Sequence, residues 1–382
     1  GVSLVAPMFT LMIAFGDIFG LGGSSVISRL LGEKKDNEAK KTCAFCIWVS
    51  LVFGLCISAI LLLFRTQILG LLGVSKVTYE YANAYYTWIA IGAVSIIFSM
   101  VPSNILRTEG LAVQSMAGSI IGSIVNIIFD PIFIFGLNQG AAGAAMATVL
   151  GNIIADIYYV YAVIKKSKRL TCSPSHMKIT GRRVKDILMI GIPASITNIM
   201  QTFMMVMTNN FLLPYGTDKV AAMGIALKVN MITALVLVGF AFGGQPLVGY
   251  NYGAKNEKRL KNILKFAYLF EIGLGLLFTI IMCIFAPQII KVFMDKPDII
   301  TNGAMMLRFQ QMGMIFMSVT LISTCVCQAV GNAGGAFVLS ISRQGVIYVL
   351  ALLIMSNVFG YTGVLVSQAC SDVVTALIAV GI

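Results

Sequence analysis

The chain has 382 residues, 58% apolar and only 11% charged, with a mean hydropathy of +0.91. A soluble domain carries roughly 25% charge, so a water-facing fold is excluded, and so is disorder, which needs a charge-rich, apolar-poor chain. The excess of 27 Lys and Arg over 15 Asp and Glu would point to nucleic acid on a soluble surface; in so apolar a chain it reads as cationic loops on one side of a membrane.

A spanning helix takes about 20 apolar residues. The apolar runs here are continuous rather than alternating, so an all-α polytopic membrane protein is expected rather than a barrel. The first predicted span, 2–28, contains Asp17 in the stretch FGDIFGLGG and ends at a loop holding Arg29, Lys34, Lys35, Lys40 and Lys41. The second, 44–64, has Cys46 inside it and Cys43 just before it; no second pair and no nearby histidine completes a zinc site, so no metal centre is expected. The third, 82–104, leads through Arg107 to the fourth, 112–135.

The fourth span carries the most informative acid. An ionisable side chain inside a span costs at least about 2.5–3.5 kcal/mol and needs a reason. Asn126 and Asp130 are four residues apart and share a helical face. Pro131 removes a backbone donor, kinks the helix and frees a carbonyl one turn back. Asp130 is expected about five residues, or ~8 Å, from the outer end of its helix. Thr148, in the fifth span 140–164, returns to similar depth at ~12 Å, and the small residues of GAAGAAMAT allow a close approach. A carboxylate, an amide oxygen and a hydroxyl at one depth can hold Na⁺ or tune a protonation event; the plainer alternative is a polar cross-link between two helices.

A basic linker, 166–185, follows. The sixth span, 186–213, includes Pro193 and the stretch NIMQTFMMVMTNN, in which Asn198, Met200, Gln201 and Met204 are candidates for a substrate path, together with Asp17. Flexible methionines suit a polyspecific surface, although ordinary packing is the commoner use. Asp17 is read first as a helix contact. Spans 219–247, 263–286, 303–327, 335–357 and 360–382 complete the eleven; Lys228 falls inside one of them. Glu271 is expected to reach toward an interface, and no role is assigned to Asp156 or Asp372.

Loop by loop, twenty Lys and Arg collect on the side of the central linker, Arg107 and Arg343 among them. Six collect on the other side: Arg65, Lys76, Lys219, Lys291, Lys296 and Arg308. The linker is therefore expected in the cytoplasm and Gly1 outside. Shifting the chain by 221 places Gly22 on Gly243, Gly32 on Gly253, Lys34 on Lys255, Gly92 on Gly313 and Gly110 on Gly331; a shift of 220 then places Gly140 on Gly360 and Gly143 on Gly363. One constant offset over so long a stretch marks a duplication. Its second copy begins one helix earlier than the first, so roughly 40 residues and one helix are expected ahead of Gly1. The organisation expected is an amino-terminal lobe (1–165), the linker (166–185) and a carboxy-terminal lobe (186–382), two six-helix halves related by an axis along the membrane normal.

The segment GLGGSSVISRLLGEKKDNEAKK (Gly20 to Lys41), its degenerate copy FGGQPLVGYNYGAKNEKRLKN, and LRTEG, NIIFDPIFIFG and GAAGAAMATVLGN downstream resemble the multidrug and toxic compound extrusion (MATE) family of cation-coupled antiporters, in its prokaryotic type with an amino-lobe aspartate site. The resemblance covers essentially the whole chain, from that family's second helix to its twelfth. It implies a twelve-helix fold of two pseudo-symmetric lobes, residence as a monomer in the cell membrane, and export of amphipathic, cationic compounds in exchange for Na⁺ or H⁺. Asn126, Asp130 and Thr148 match the family's amino-lobe cation site, which also uses an aspartate of the first helix. Another branch has a glutamate eight residues after a proline in the seventh helix; Gln201 stands there, and no acid lies near 317–319, so a carboxy-lobe site is not expected.

No further cofactor is implied, and no nucleotide-binding G-x-x-x-x-G-K-[ST] occurs. A flippase for lipid-linked oligosaccharides is a second reading, disfavoured because Lys228 alone would line its cavity. An intramembrane enzyme is a third, disfavoured by the lack of H-E-x-x-H, G-x-S-x-G or a second acid near Asp130.

Overall fold

The computed structural model describes residues 2–72 and 79–382. Gly1 and Lys76, both assigned above to the outer face, lie outside the described residues. Among the described residues every regular element is helical: α1 (Val2–Gly32), α2 (Asp36–Leu63), α3 (Arg65–Leu71), α4 (Tyr79–Thr108), α5 (Ala112–Pro131), α6 (Gly140–Lys165), α7 (Gly181–Leu212), α8 (Thr217–Gly253), α9 (Glu257–Ile284), α10 (Ala286–Phe293), α11 (Pro297–Met312), α12 (Met314–Val330), α13 (Ala333–Ile341) and α14 (Ile347–Gly381). Nine of the described helical runs are long and apolar enough to cross a membrane, or ten if the pair α11–α12, bent by 41° at Gly313, is one span. The protein is a multi-pass helical membrane protein.

The last of these runs, 333–381, is 49 residues long, which as a straight helix would reach roughly 74 Å, far more than a bilayer core. It is not straight. Gly360 adopts φ 55°, ψ −127°, a conformation closed to other residues. A Cβ placed on Gly363 would lie 1.8 Å from the Met355 carbonyl oxygen, although eight residues of straight helix would hold them about 12 Å apart. The chain therefore reverses at Gly360, and the two limbs are the last two segments expected from the sequence.

The duplication is visible in the backbone. α2 and α9 begin and end 221 residues apart, and the short helices α3 and α10 follow each at the same offset. Lys34 and Lys255, the paired lysines of the basic loops, share left-handed φ values of 59° and 54°. Gly110 and Gly331 do so at 83° and 86°, and Gly140 and Gly360 at 51° and 55°. Local geometry that favours glycine thus recurs where the glycines recur. The copies differ where Gly92 continues α4 and Gly313 breaks α11 from α12.

Two compact units form: 1–198 with 253–255, and 199–252 with 256–382. The division falls inside α7 rather than at its predicted start near 186, because the first part of α7 packs on α1. A Cβ on Gly191 would meet the Ile18 carbonyl oxygen at 1.9 Å, and one on Gly22 the Ile187 carbonyl oxygen at 2.3 Å.

The basic linker is held against the first unit. The Glu109 carboxylate, in the turn after α4, accepts the backbone N–H groups of Lys168 (2.7 Å) and Arg169 (2.8 Å) and the Ser167 hydroxyl. The Trp48 indole donates to the Cys172 carbonyl at 2.8 Å, and Arg183 reaches Glu38 at 2.5 Å. Burial at that anchor pushes the Cys172 thiol up to about 11, so it stays protonated and serves only as packing.

Candidate functional site

α5 and α6 run antiparallel with their backbones in contact. Gly122 and Gly151 face each other so closely that a Cβ on Gly151 would lie 2.5 Å from the Gly122 carbonyl oxygen. On the other side of the site a Cβ on Gly143 would lie 2.6 Å from the Phe133 carbonyl carbon. Between these two approaches the Asn126 amide donates to the Thr148 hydroxyl at 3.2 Å, and that hydroxyl donates back to the Ala144 carbonyl at 3.0 Å. The small residues of GAAGAAMAT thus supply one of the two close approaches, and Gly122 with Gly151 supplies the other.

Asp130 lies one turn beyond Asn126 on α5 and is half-buried, with its Oδ1 buried and unpartnered. Pro131 ends the regular helix, and residues 132–136 form a π-helical turn, an irregularity frequent at functional sites. The missing proline N–H leaves the Ile127 carbonyl without its usual helical donor. Asn126 spends its N–H on Thr148 and keeps its carbonyl oxygen free to accept. Tyr85 of α4 lies within electrostatic reach of Asp130. Carboxylate, amide oxygen and hydroxyl oxygens together form a hard-donor set suited to a small monovalent cation or a proton.

A polar stripe leaves this site along α6. Asn152, four residues past Thr148, donates to the Thr148 carbonyl at 2.8 Å and lies 3.5 Å from the Ser99 hydroxyl of α4. Four residues further, Asp156 accepts from Ser95 through one oxygen, while its Oδ1 is buried and unpartnered. A cavity of about 360 Å³ with apolar walls, among them Leu51, Gly92 and Val149, opens beside it. Asp156 is thus an acid with a buried oxygen on the same face of α6 as Thr148, two turns further along. The i, i+4, i+8 spacing of Thr148, Asn152 and Asp156 was the signal of this shared face in the sequence.

Of the substrate-path candidates, the structure brings Asp17 and Asn198 together: the Asn198 amide donates to Asp17 at 3.0 Å. In this structure Asp17 of α1 therefore contacts α7. Met204 is buried at 8% exposure in an apolar cluster with Leu212 and Met223, so it packs rather than lines an open surface. Met200 is half-buried against Gly345, and Gln201 is exposed.

In the second unit two expectations change. Glu271 does not reach an interface; it is 0% exposed, near the midpoint of α9, because its face of the helix packs on α12. Arg343 is not a loop charge. It sits in the π-helical turn between α13 and α14 and donates to Asp372 at 2.8 Å. Gln368 donates to the same oxygen at 3.1 Å, and the Ser371 hydroxyl donates to the Arg343 carbonyl at 2.6 Å. Without Arg343 the basic excess of the linker side is still about threefold.

The profile of the MatE family matches residues 1–132 and 193–378. The multidrug export protein MepA of Staphylococcus haemolyticus (strain JCSC1435) is 30% identical over 381 residues, spanning 99% of this chain and 83% of that protein. Among solved structures, a MATE transporter in complex with MaL6 superposes with a TM-score of 0.94 at 25% identity, covering 99% of this chain and 86% of that one. The outward-facing conformation of a multidrug resistance MATE family transporter of the MOP superfamily gives 0.94 at 26% identity, covering 99% and 85%. With an all-helical fold and an internal duplication, the chain belongs to the MATE family of membrane transporters, which are not enzymes.

Proposed function

We propose that this protein is a cell-membrane antiporter that exports amphipathic, cationic compounds in exchange for Na⁺ or H⁺, with Asp130, Asn126 and Thr148 binding the coupling ion. The observation that carries the proposal is the unpartnered Asp130 oxygen on a proline-broken helix, beside an Asn126–Thr148 pair held in place by two glycine contacts. Multidrug export is supported by the family and by the similarity to the staphylococcal multidrug export protein.

Coupling requires that the ion bind one conformation better than the other. The irregular turn after Pro131 supplies the means. An ion held by Asn126 and Asp130 at the end of α5 and by Thr148 of α6 favours one arrangement of the turn at 132–136 between them; its release relaxes that preference. The flippase reading loses further ground, because the Arg343 charge is already answered by Asp372.

Dye efflux from proteoliposomes, with Na⁺ and H⁺ gradients imposed separately, tests the proposal. Asp130→Asn is expected to abolish gradient-driven efflux under whichever gradient drives the parent protein, while the variant still purifies as a folded species. Undiminished transport by that variant would remove Asp130 from coupling.

A further inference from the structure

Glu271 is the one acid of the second unit's described helices that is both fully buried and unanswered. Both of its carboxyl oxygens are buried without a hydrogen-bond partner, and the residue is 0% exposed. It stands near the midpoint of α9, with fourteen residues of the helix before it and thirteen after.

The surroundings follow from register. A Cβ on Gly275 would meet the Ser318 hydroxyl of α12 at 2.7 Å, and the Tyr268 hydroxyl bonds Ser323 of α12 at 2.7 Å. Glu271 lies between those contacts on the same face of α9, so it meets α12 near Thr320 and Leu321. The neighbouring hydroxyls are committed elsewhere: Ser318 donates to the Met314 carbonyl, Thr320 to that of Phe316, and Thr324 to that of Thr320. The remaining wall is apolar. Leu237 and Ala241 of α8 and Met317, Leu321 and Ile322 of α12 form one cluster, against which Tyr268 and Leu274 of α9 pack on either side of Glu271.

No fixed positive charge faces it. From α12 the nearest titratable group is the Cys325 thiol, which feels Glu271 electrostatically. From α11, Arg308 is turned to the Cys283 carbonyl, twelve residues or about 18 Å further along α9. On α10, Lys291 is exposed beside Asp295. Lys265, on α9 itself, is exposed. Arg343 is paired with Asp372. An ionised carboxylate with no counter-charge and no donors is not retained in such a place; it takes up a proton instead.

We infer that Glu271 is a proton-binding site of the carboxy-terminal unit, loaded in this conformation and discharged during the transport cycle when α9 and α12 separate enough to admit water. On discharge the carboxyl O–H bond breaks, the proton forms a hydronium with the entering water, and the carboxylate remains. The Tyr268–Ser323 hydroxyl pair, one turn away toward the end of α9 that carries Lys258, Arg259 and Lys261, is where that water would first find partners. The site is not duplicated. The matching residue of the first copy is Ser50, whose hydroxyl donates to the Ile47 carbonyl at 2.9 Å. The first unit has Asp130 where the second has Ala351, so neither acid has a counterpart in the other half.

The inference rests on the antiport reading only for its second readout. Infrared spectroscopy of the full chain in lipid, titrated in pH, reports protonated carboxyls by their C=O stretch. A band persisting at neutral pH is expected in the parent protein, and its Glu271 component is expected to be missing in the difference spectrum of Glu271→Gln, which keeps the shape of the protonated acid. Efflux driven by a pH gradient is then expected to be lost in Glu271→Gln while substrate binding persists. Should Glu271→Gln fail to fold, Glu271→Asp and Tyr268→Phe are each expected to shift the band. A band unchanged in all variants, or pH-driven efflux undiminished once the band is gone, overturns the inference. Failure of Asp130→Asn alone would leave the infrared result standing.

Discussion

Arg343 and Asp372 meet at 2.8 Å with 16% and 4% of their side chains exposed, whereas Asp130, Asp156 and Glu271 each keep a buried oxygen with no partner. Paired acids of this kind hold helices together, whereas ion or proton binding is proposed for two of the unpartnered ones, Asp130 and Glu271. Removing one member of a buried ion pair leaves the other uncompensated, at a cost of about 3–5 kcal/mol, while replacing both with apolar groups is often neutral. Arg343→Met is therefore expected to lower the thermal midpoint of the detergent-solubilised protein sharply, and Arg343→Met with Asp372→Leu to restore most of the loss. Equal destabilisation in the single and double variants would show that the pair is not the unit of stability. Asp130 was legible in the sequence because an acid, an amide four residues earlier and a following proline form a local pattern. Glu271 was not, because every face of a membrane helix is apolar, so periodicity does not reveal which face turns inward.

The helices themselves were read closely from continuous apolar runs, and the duplication from glycine and lysine positions whose backbone geometry then proved common to both copies. What stayed hidden at this scale was how connecting segments attach. Glu109 sits in the stretch LRTEG, yet nothing local announces that its carboxylate will receive two backbone N–H groups and a hydroxyl from residues nearly sixty positions on. Hydrogen bonds to a charged acceptor contribute about 1.5–3 kcal/mol each, so this carboxylate is the principal clasp of the linker. Glu109→Ala is expected to loosen the segment 167–172 and raise its rate of tryptic cleavage at Lys168 and Arg169, with little change in the thermal midpoint of the helices. A cleavage rate equal to that of the parent protein would mean that Trp48 and Arg183 suffice to hold the linker.

For the molecule as a whole, the charge count sets an orientation that can be checked directly. Trypsin added to inside-out vesicles is expected to cut within 166–185, while intact cells are expected to protect that segment; the reverse pattern would invert the topology. The same orientation gives the reversal at Gly360 a place on the outer side. One left-handed glycine replaces any polar connection there, so almost nothing hydrophilic has to be carried through the lipid. During synthesis, Arg343 leaves the ribosome 29 residues ahead of Asp372. A lone guanidinium would resist partitioning into lipid until its carboxylate arrives. The two limbs that meet at Gly360 are therefore expected to leave the insertion machinery together, as one hairpin whose charges are already paired.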